Sequence, residues 1–581
     1  MSSLVAALDT HTPLTVGENG HLQHGWSNDL QEKIIQFSFQ LTRCDKSVVR
    51  SSMAQKFREI LSAVPIPGKV DDHHLLTLVI QMIAHTRDIV NGKGEYELSY
   101  MMIYELYGFY PELATHVLKH FVLFEDDVTA HPYGSWKDVK YFCNYVREQR
   151  GETHGLITFA HELMIDQIRA DEGVLEAAGS NKQVSLAGRW APREGSKKFG
   201  WQAFLMSKKY YPEWVANVSP YSAQGVAAAR KCSTHFRQLL SSLNRHLDTV
   251  QVKQAANTWS EIDYKNVTSI TMRRQNKAFR NVKPNKPEQR VDSSDRRECA
   301  ANFDAFLAKA KKGEATVKGK RVSLIDFVKD ACASKDEGDQ QVLNLQWRDN
   351  STLTGALPDM IPMIDVSGSM SCDNCIPLHS AVGLGIRIAE KSRLKNRAMT
   401  FSATPNWIRY DNCPEFTQKV HATINGGWGF NTNFTAAMKL ILSAVEEARL
   451  LPEEVENMML VILSDMQIDG TDNGNLDDTM HAHIERLYAE TGIRVHGKPY
   501  KPPGILFWNL RSTSGFPTLS TQKNAFMMSG ASPALLNMFC EKGLDALRDY
   551  TPWRMFVETV NHTRYSRIKT YTDRFVVSAA Y

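Results

Sequence analysis

Along residues 29–257 apolar positions recur at the three- and four-residue spacing of helices. Leu30, Ile34, Ile35, Phe37 and Leu41 define one such face, and the rhythm returns over 49–62, 71–86, 96–107, 112–121, 136–147, 155–170, 201–207 and 223–243. Pro65, Gly92, Gly108, Pro111, Pro132, Gly134 and Gly151 punctuate it. Many short helices on short connections predict an all-α HEAT-like stack, a ring or solenoid, although no fixed repeat length is visible. After residue 350 short, wholly apolar runs alternate with helical patterns, the α/β signature. Strands are predicted at 360–365, 398–401, 458–463, 504–507 and 525–528, and helices at 378–392, 434–447, 479–490 and 533–541. Right-handed crossovers would cover both faces of a Rossmann-like, mostly parallel sheet. The fold class is therefore multidomain, α followed by α/β. Residues 1–28 have no sustained period and read as an extended arm, docked or free. Trp553, Met555, Phe556, Val560 and Ile568 sit near helical spacing. They predict a final helix packing back on the helical domain, or a partner-binding tail. The divisions are an arm (1–28), a helical domain (29–350), an α/β domain (351–545) and a C-terminal segment (546–581).

A length of 581 residues supports more than one core, as the change of rhythm requires. The net charge of only +4 leaves any nucleic-acid contact to local patches. No apolar run reaches the length of a membrane span, and the start lacks a basic region followed by an apolar core. The nine scattered cysteines suit a reducing compartment, so a cytoplasmic protein without membrane contact is expected. Cys372-Asp373-Asn374-Cys375 lacks a second pair at zinc-ligand spacing and reads as a loop with two thiols.

The richest chemistry lies in Met363-Ile364-Asp365-Val366-Ser367-Gly368-Ser369-Met370. A buried strand ends there in alternating oxygen-bearing residues, at the carboxyl end of a sheet where α/β folds bind ligands. Asp365, Ser367 and Ser369 offer one carboxylate and two hydroxyls. That set suits a hard divalent cation, Mg²⁺ first and Mn²⁺ or Ca²⁺ as alternatives. The motif resembles the metal-ion-dependent adhesion site of von Willebrand factor A domains. The resemblance implies two further ligands from distant loops. Thr432 in the Gly-rich stretch 426–434 and Asp465 after the apolar run 460–464 match them. It also implies an open coordination sphere that a partner protein's carboxylate completes. HExxH, GxSxG and Walker patterns are missing, so a binding protein rather than an enzyme is expected.

Residues 262–329 are the basic part of the chain. Lys265, Arg273, Arg274, Lys277, Arg280 and Lys283 lead it, with little aromatic interleaving, which favours phosphate contact. Elsewhere Arg87-Asp88 with Asn91-Gly92-Lys93-Gly94-Glu95, then Tyr133-Gly134-Ser135-Trp136-Lys137-Asp138, then Gly188-Arg189-Trp190-Ala191-Pro192 resemble signatures of the TROVE module of Ro ribonucleoproteins. In that family a helical ring, closed by a von Willebrand factor A domain, binds non-coding RNA. Lys93 joins the candidate RNA contacts on this basis. A narrower resemblance adds residues 262–269, Leu345-Gln346-Trp347, Ser464-Asp465-Met466 and Phe507-Trp508-Asn509-Leu510-Arg511. It is to TROVE-like proteins of cellular and viral genomes whose function is not established. The Ser371–Cys375 link departs from their shorter loop. The expected function is Ro-like RNA binding with a cation site for partner contact. The alternative is a non-enzymatic interaction or assembly module, including a viral structural one, that works through the metal without RNA.

Overall fold

The computed structural model describes residues 12–64, 72–123, 131–177, 183–283, 288–401, 404–426, 433–467 and 479–579. The first part is helical. Leu30–Gln40, Ala54–Ala63, Asp72–Arg87, Tyr96–Phe109, Pro111–Val122, Lys137–Arg150, Gly155–Glu176, Gly200–Tyr210 and Ala223–His246 follow one another and pack largely on neighbours. Local chemistry sets their ends. The Asp29 carboxylate accepts the Glu32 amide at the first start, and Pro111 stands in the first turn of its helix, where a missing N–H costs nothing. Ile34, Phe37, Phe57, Ile60, Val79, Ile83, Met102, Leu106, Phe121 and Phe142 form a continuous core.

Two short strands precede these helices, β1 (Leu14–Val16) and β2 (Leu22–His24), paired as an antiparallel hairpin. After Met360 comes the main sheet: β3 (Met360–Asp365), β4 (Arg397–Phe401), β5 (Asn406–Arg409), β6 (Met459–Ser464), β7 (Gly504–Asn509) and β8 (Ala525–Ser529). Its order among the described residues is β5-β4-β3-β6-β7-β8, parallel throughout except for the antiparallel edge β5. Every residue of β3, β6 and β7 is buried, as a sheet covered on both faces requires. The chain leaves β3 for β4 on one side and returns as β6 on the other. The gap between the β3 and β6 tips is thus the topological switch point.

The helices Leu324–Ala333 and Glu337–Ser351 lie before the sheet in sequence but share its core. Phe327, Val328, Leu343 and Trp347 cluster with Met360, Ile364 and Val382, and Trp347 stacks on Phe416 at 3.8 Å. The sequence division at 350 therefore crosses a continuous core. The last segment holds two helices, Pro552–Val560 and Ser566–Ala579, rather than one. Phe556, Val560, Tyr565 and Ile568 enter the core of the helical part. Arg564 donates to both carboxylate oxygens of buried Asp88 at 2.6 and 2.9 Å.

Arg87 and Asp138, from the two signature stretches, form a second buried pair. The Arg87 guanidinium donates to Asp138 at 2.8 and 2.7 Å, and the Tyr100 hydroxyl and the Ser135 amide donate to the same carboxylate. Gly134 stands where any Cβ would lie 2.4 Å from an Asp138 oxygen. These motifs are the buried polar joints of the helical part.

Candidate metal centre

Asp365 closes β3 and is fully buried. One carboxylate oxygen accepts the Ser367 amide at 2.9 Å, which folds the chain back over the strand tip, and the other accepts the Ser464 hydroxyl at 2.6 Å. Ser367 and Ser369 bring their hydroxyls to 3.1 Å from each other. Asp465, one residue beyond β6, is also fully buried and accepts the Gln467 amide, the Ser369 hydroxyl and one Arg511 nitrogen. The pairing of β3 with β6 juxtaposes the two tips. Four of the five predicted metal residues, Asp365, Ser367, Ser369 and Asp465, thus gather at one crevice. Thr432 lies outside the described residues.

Burial, then the nearby charge of Asp465, pushes the Asp365 carboxyl above the usual range. Burial raises Asp465 too, against the lowering effect of Arg511. Two buried carboxylates and two hydroxyls with a shared deficit of positive charge fit a hard cation by donor chemistry. Among the described residues no cluster of three or more His, Cys, Asp or Glu side chains offers an alternative centre. Cys372 precedes a left-handed stretch that Cys375 ends, with φ of 51° at Asp373, 59° at Asn374 and 61° at Cys375. The extra residues of this link are absorbed in that turn before the helix proceeds through Pro377. Asn and Asp tolerate such a conformation better than most residues.

Three nearby contributors had little signal in the sequence. Ser464 lay at a strand end and in a recognised run, without an indication that its hydroxyl reaches Asp365. Arg511 lay in a recognised run, without an indication of its target. Its guanidinium bridges Asp465 at 2.7 Å and Glu18 at 3.0 and 2.8 Å. Glu18 lies in the hairpin turn between β1 and β2.

The candidate RNA contacts do not gather. Lys93 is buried, and its ammonium donates to Ser38 O at 2.7 Å, Leu41 O at 3.3 Å and Ser529 Oγ at 2.5 Å. Burial pushes its pKa down to about 7. It joins the helical part to β8 and presents no surface to a phosphate, so its place among the RNA contacts is withdrawn. Arg273 is paired with Asp330 and Asp326, Lys277 with Asp339, Arg280 with Asp336 and Asp339, and Lys283 with Glu288. Lys265 and Arg274 are exposed, without an ion pair among the described residues.

A different basic group does form. Lys137 lies 4.9 Å and Lys198 5.3 Å from the ring centre of Tyr141, and Lys140 lies 5.0 Å from that of Trp190 and 5.5 Å from that of Phe199. Arg274 and Arg193 approach closely enough for repulsion. Burial, with a smaller effect of Arg274, lowers Lys137, and burial, then Lys137 and Arg193, bring Lys140 down to about 8.

Residues 154–352 match a family described as a domain of unknown function, DUF2828, and residues 359–574 match another so described, DUF7788. The chain is similar to "Uncharacterized protein L728" of Acanthamoeba polyphaga mimivirus, with 25% identity over 477 residues, 79% of this chain and 76% of that protein.

Proposed function

We propose that this protein is a non-enzymatic binding protein that holds a divalent cation, Mg²⁺ by donor chemistry, between β3 and β6 and presents it to a carboxylate of a protein partner. The observation that carries this reading is the meeting of Asp365, Ser367 and Ser369 with Asp465 at the switch point. The sheet order, with its antiparallel edge, and the DxSxS loop support a von Willebrand factor A-like domain. Asp365, Ser367, Ser369 and Asp465 would hold the ion, directly or through water, with Thr432 as the fifth candidate. Both carboxylates are already engaged by hydroxyl, amide and guanidinium groups, an arrangement suited to holding charge rather than moving protons. A reducing, cytoplasmic setting belongs to the proposal, in keeping with nine free thiols. Among the described residues no helix is long and apolar enough to cross a membrane. Titration calorimetry tests the reading: Mg²⁺ gives a saturable heat that Asp365→Ala abolishes while the melting curve persists. Equal heats from both proteins would refute it.

A second, Ro-like reading is RNA binding by the helical part, and the Lys137, Lys140, Arg193, Lys198 and Arg274 group favours it. Cations from separate segments repel one another unless an anion joins them, and Tyr141, Trp190 and Phe199 supply faces for base stacking. A labelled single-stranded RNA should bind more weakly as salt rises. Lys137→Glu with Lys140→Glu should weaken it about tenfold or more, by the removal of phosphate contacts. Arg280→Glu, whose parent is spent on Asp336 and Asp339, serves as the comparison. Equal losses from both changes would refute the assignment.

A further inference from the structure

The hairpin of β1 and β2 is docked beside the metal crevice. His24 exchanges two backbone hydrogen bonds with Phe516, at 2.9 and 3.0 Å, and Leu22 forms a parallel bridge with Thr479. Gln23 is buried so closely against Gly515 that a Cβ there would fall 1.7 Å from its side chain. Trp26 packs edge-on against Phe516 at 5.0 Å. These contacts fix the base of the hairpin and aim its turn.

At the turn, the Glu18 amide donates to Gln467 Oε1 at 2.7 Å and the Asn19 side chain donates to Gln467 O at 3.1 Å. Gln467 lies two residues past Asp465, on the same crevice wall. Arg511 connects the rest, with one nitrogen on Asp465 and the other on both oxygens of Glu18. The two ends differ. The Asp465 side chain is wholly buried, whereas that of Glu18 is 53% exposed. A bidentate pair with a solvent-facing carboxylate can hold a turn and still release it.

Resting on the metal-dependent reading above, we infer that the Leu14–His24 hairpin is a built-in competitor for the crevice. Glu18, held through Arg511, stands at its mouth in place of the acidic residue of a partner peptide. An external acidic peptide gains access when the Glu18 turn lifts from Arg511. A cation in the crevice competes with Arg511 for Asp465, so loading the ion and lifting the turn favour each other.

The test uses the full chain and Glu18→Gln, which keeps the side-chain shape and removes the charge. The probe is a fluorescent peptide copying residues 14–24, given with Mg²⁺ or with chelator. Glu18→Gln should bind it about tenfold more tightly than the parent, the scale of one charge-assisted hydrogen bond, and only with Mg²⁺. A probe with Gln in place of its own Glu should not bind. Without metal, the amides of residues 17–20 should exchange hydrogen faster in the variant. Equal peptide affinities in two proteins that both bind Mg²⁺ would overturn the competition and leave the metal reading standing. Unchanged amide exchange would overturn the latch whatever the metal does. Absence of Mg²⁺ binding in both proteins would overturn the metal reading, and the competition with it.

Discussion

Replacing Asp138 by Asn should be among the most damaging single changes in the helical part. The Asp138 and Arg87 side chains are 2% and 8% exposed, so neither charge has useful contact with water. The carboxylate accepts two guanidinium hydrogen bonds, the Tyr100 hydroxyl and the Ser135 amide. The pairing holds the Arg87 pKa above its ordinary value despite burial, and arginine is too basic to shed its proton at any ordinary pH, so the guanidinium remains a cation when its partner is gone. An amide at position 138 presents an NH₂ toward the guanidinium or the Ser135 amide, groups that can only donate. Losing one member of a buried pair costs about 3–5 kcal/mol, against about 0–1 for an exposed pair. Spread over a core of this size, that is a fall of about 6–20 °C in apparent melting temperature. Arg87→Met combined with Asp138→Leu should recover much of the loss, because it removes the stranded charge. Differential scanning fluorimetry of the parent and the two variants decides. A drop of under about 2 °C for Asp138→Asn would mean that the pair behaves as an exposed one, and the account of the signature as a buried joint would fail.

Acid should weaken the fold through its buried histidines. Burial is the main cause that lowers His85 to about 3 and His161 and His481 to about 4. Each folded pKa is below the unfolded value near 6.5, so the unfolded chain binds more protons between them. The stabilisation is complete above about pH 6.5 and is lost as pH falls toward the folded values, at about 2 kcal/mol per histidine by pH 5. Melting temperatures at pH 7.5 and 5.0 test this, with a flat profile as the refuting result, and His161→Gln should remove one share of the slope. Gly515→Ala should dislodge Gln23 and expose residues 12–25 to protease, with a stability loss of about 1–3 kcal/mol from overpacking. An unchanged cleavage pattern would show that the hairpin is not seated as described.

The meeting of the β3 and β6 tips was legible because its parts are local. An apolar run fixes each buried strand, and the strand places the residue at its tip, so Asp365 and Asp465 could be located without the fold. The edge strand β5 was missed because its four residues contain a single buried position. The hairpin of β1 and β2 was read only as an arm because Gln23, His24 and Glu18 are held by partners more than 440 residues away. Sequence reveals a charge but not its partner, which is why Lys93 was misread. The basic stretch failed for a more instructive reason. Asp330, Asp336 and Asp339, which pair with Arg273, Lys277 and Arg280, lie just beyond residue 329, so several of its cations have partners that the segment's own bounds left out.

The carboxyl edge of the sheet serves two purposes, and their nearness explains the pattern of buried polar residues. The β3 and β6 tips carry the crevice, while the β7 and β8 tips carry the joint to the helical part. Asn509 at the end of β7 donates to Phe39 O, and Ser529 at the end of β8 donates to Ser38 O and accepts from Lys93. These bonds add donors to the last carbonyls of helix Leu30–Gln40, which a helix end leaves short of partners in an interior interface. Asn509 and Arg511 are separated by Leu510 alone, so the residue that closes the joint and the residue that bridges Asp465 to Glu18 share a short, buried run. Displacing Arg511 therefore pulls on the backbone that positions Asn509. The hairpin adds a second connection from the same helix, since the Gln36 side chain pairs with the Ser27 amide and with Gly25 O just after β2. Hairpin and inter-part joint thus share one helix, and Arg511, Leu510 and Asn509 connect that joint to the crevice along one sheet edge.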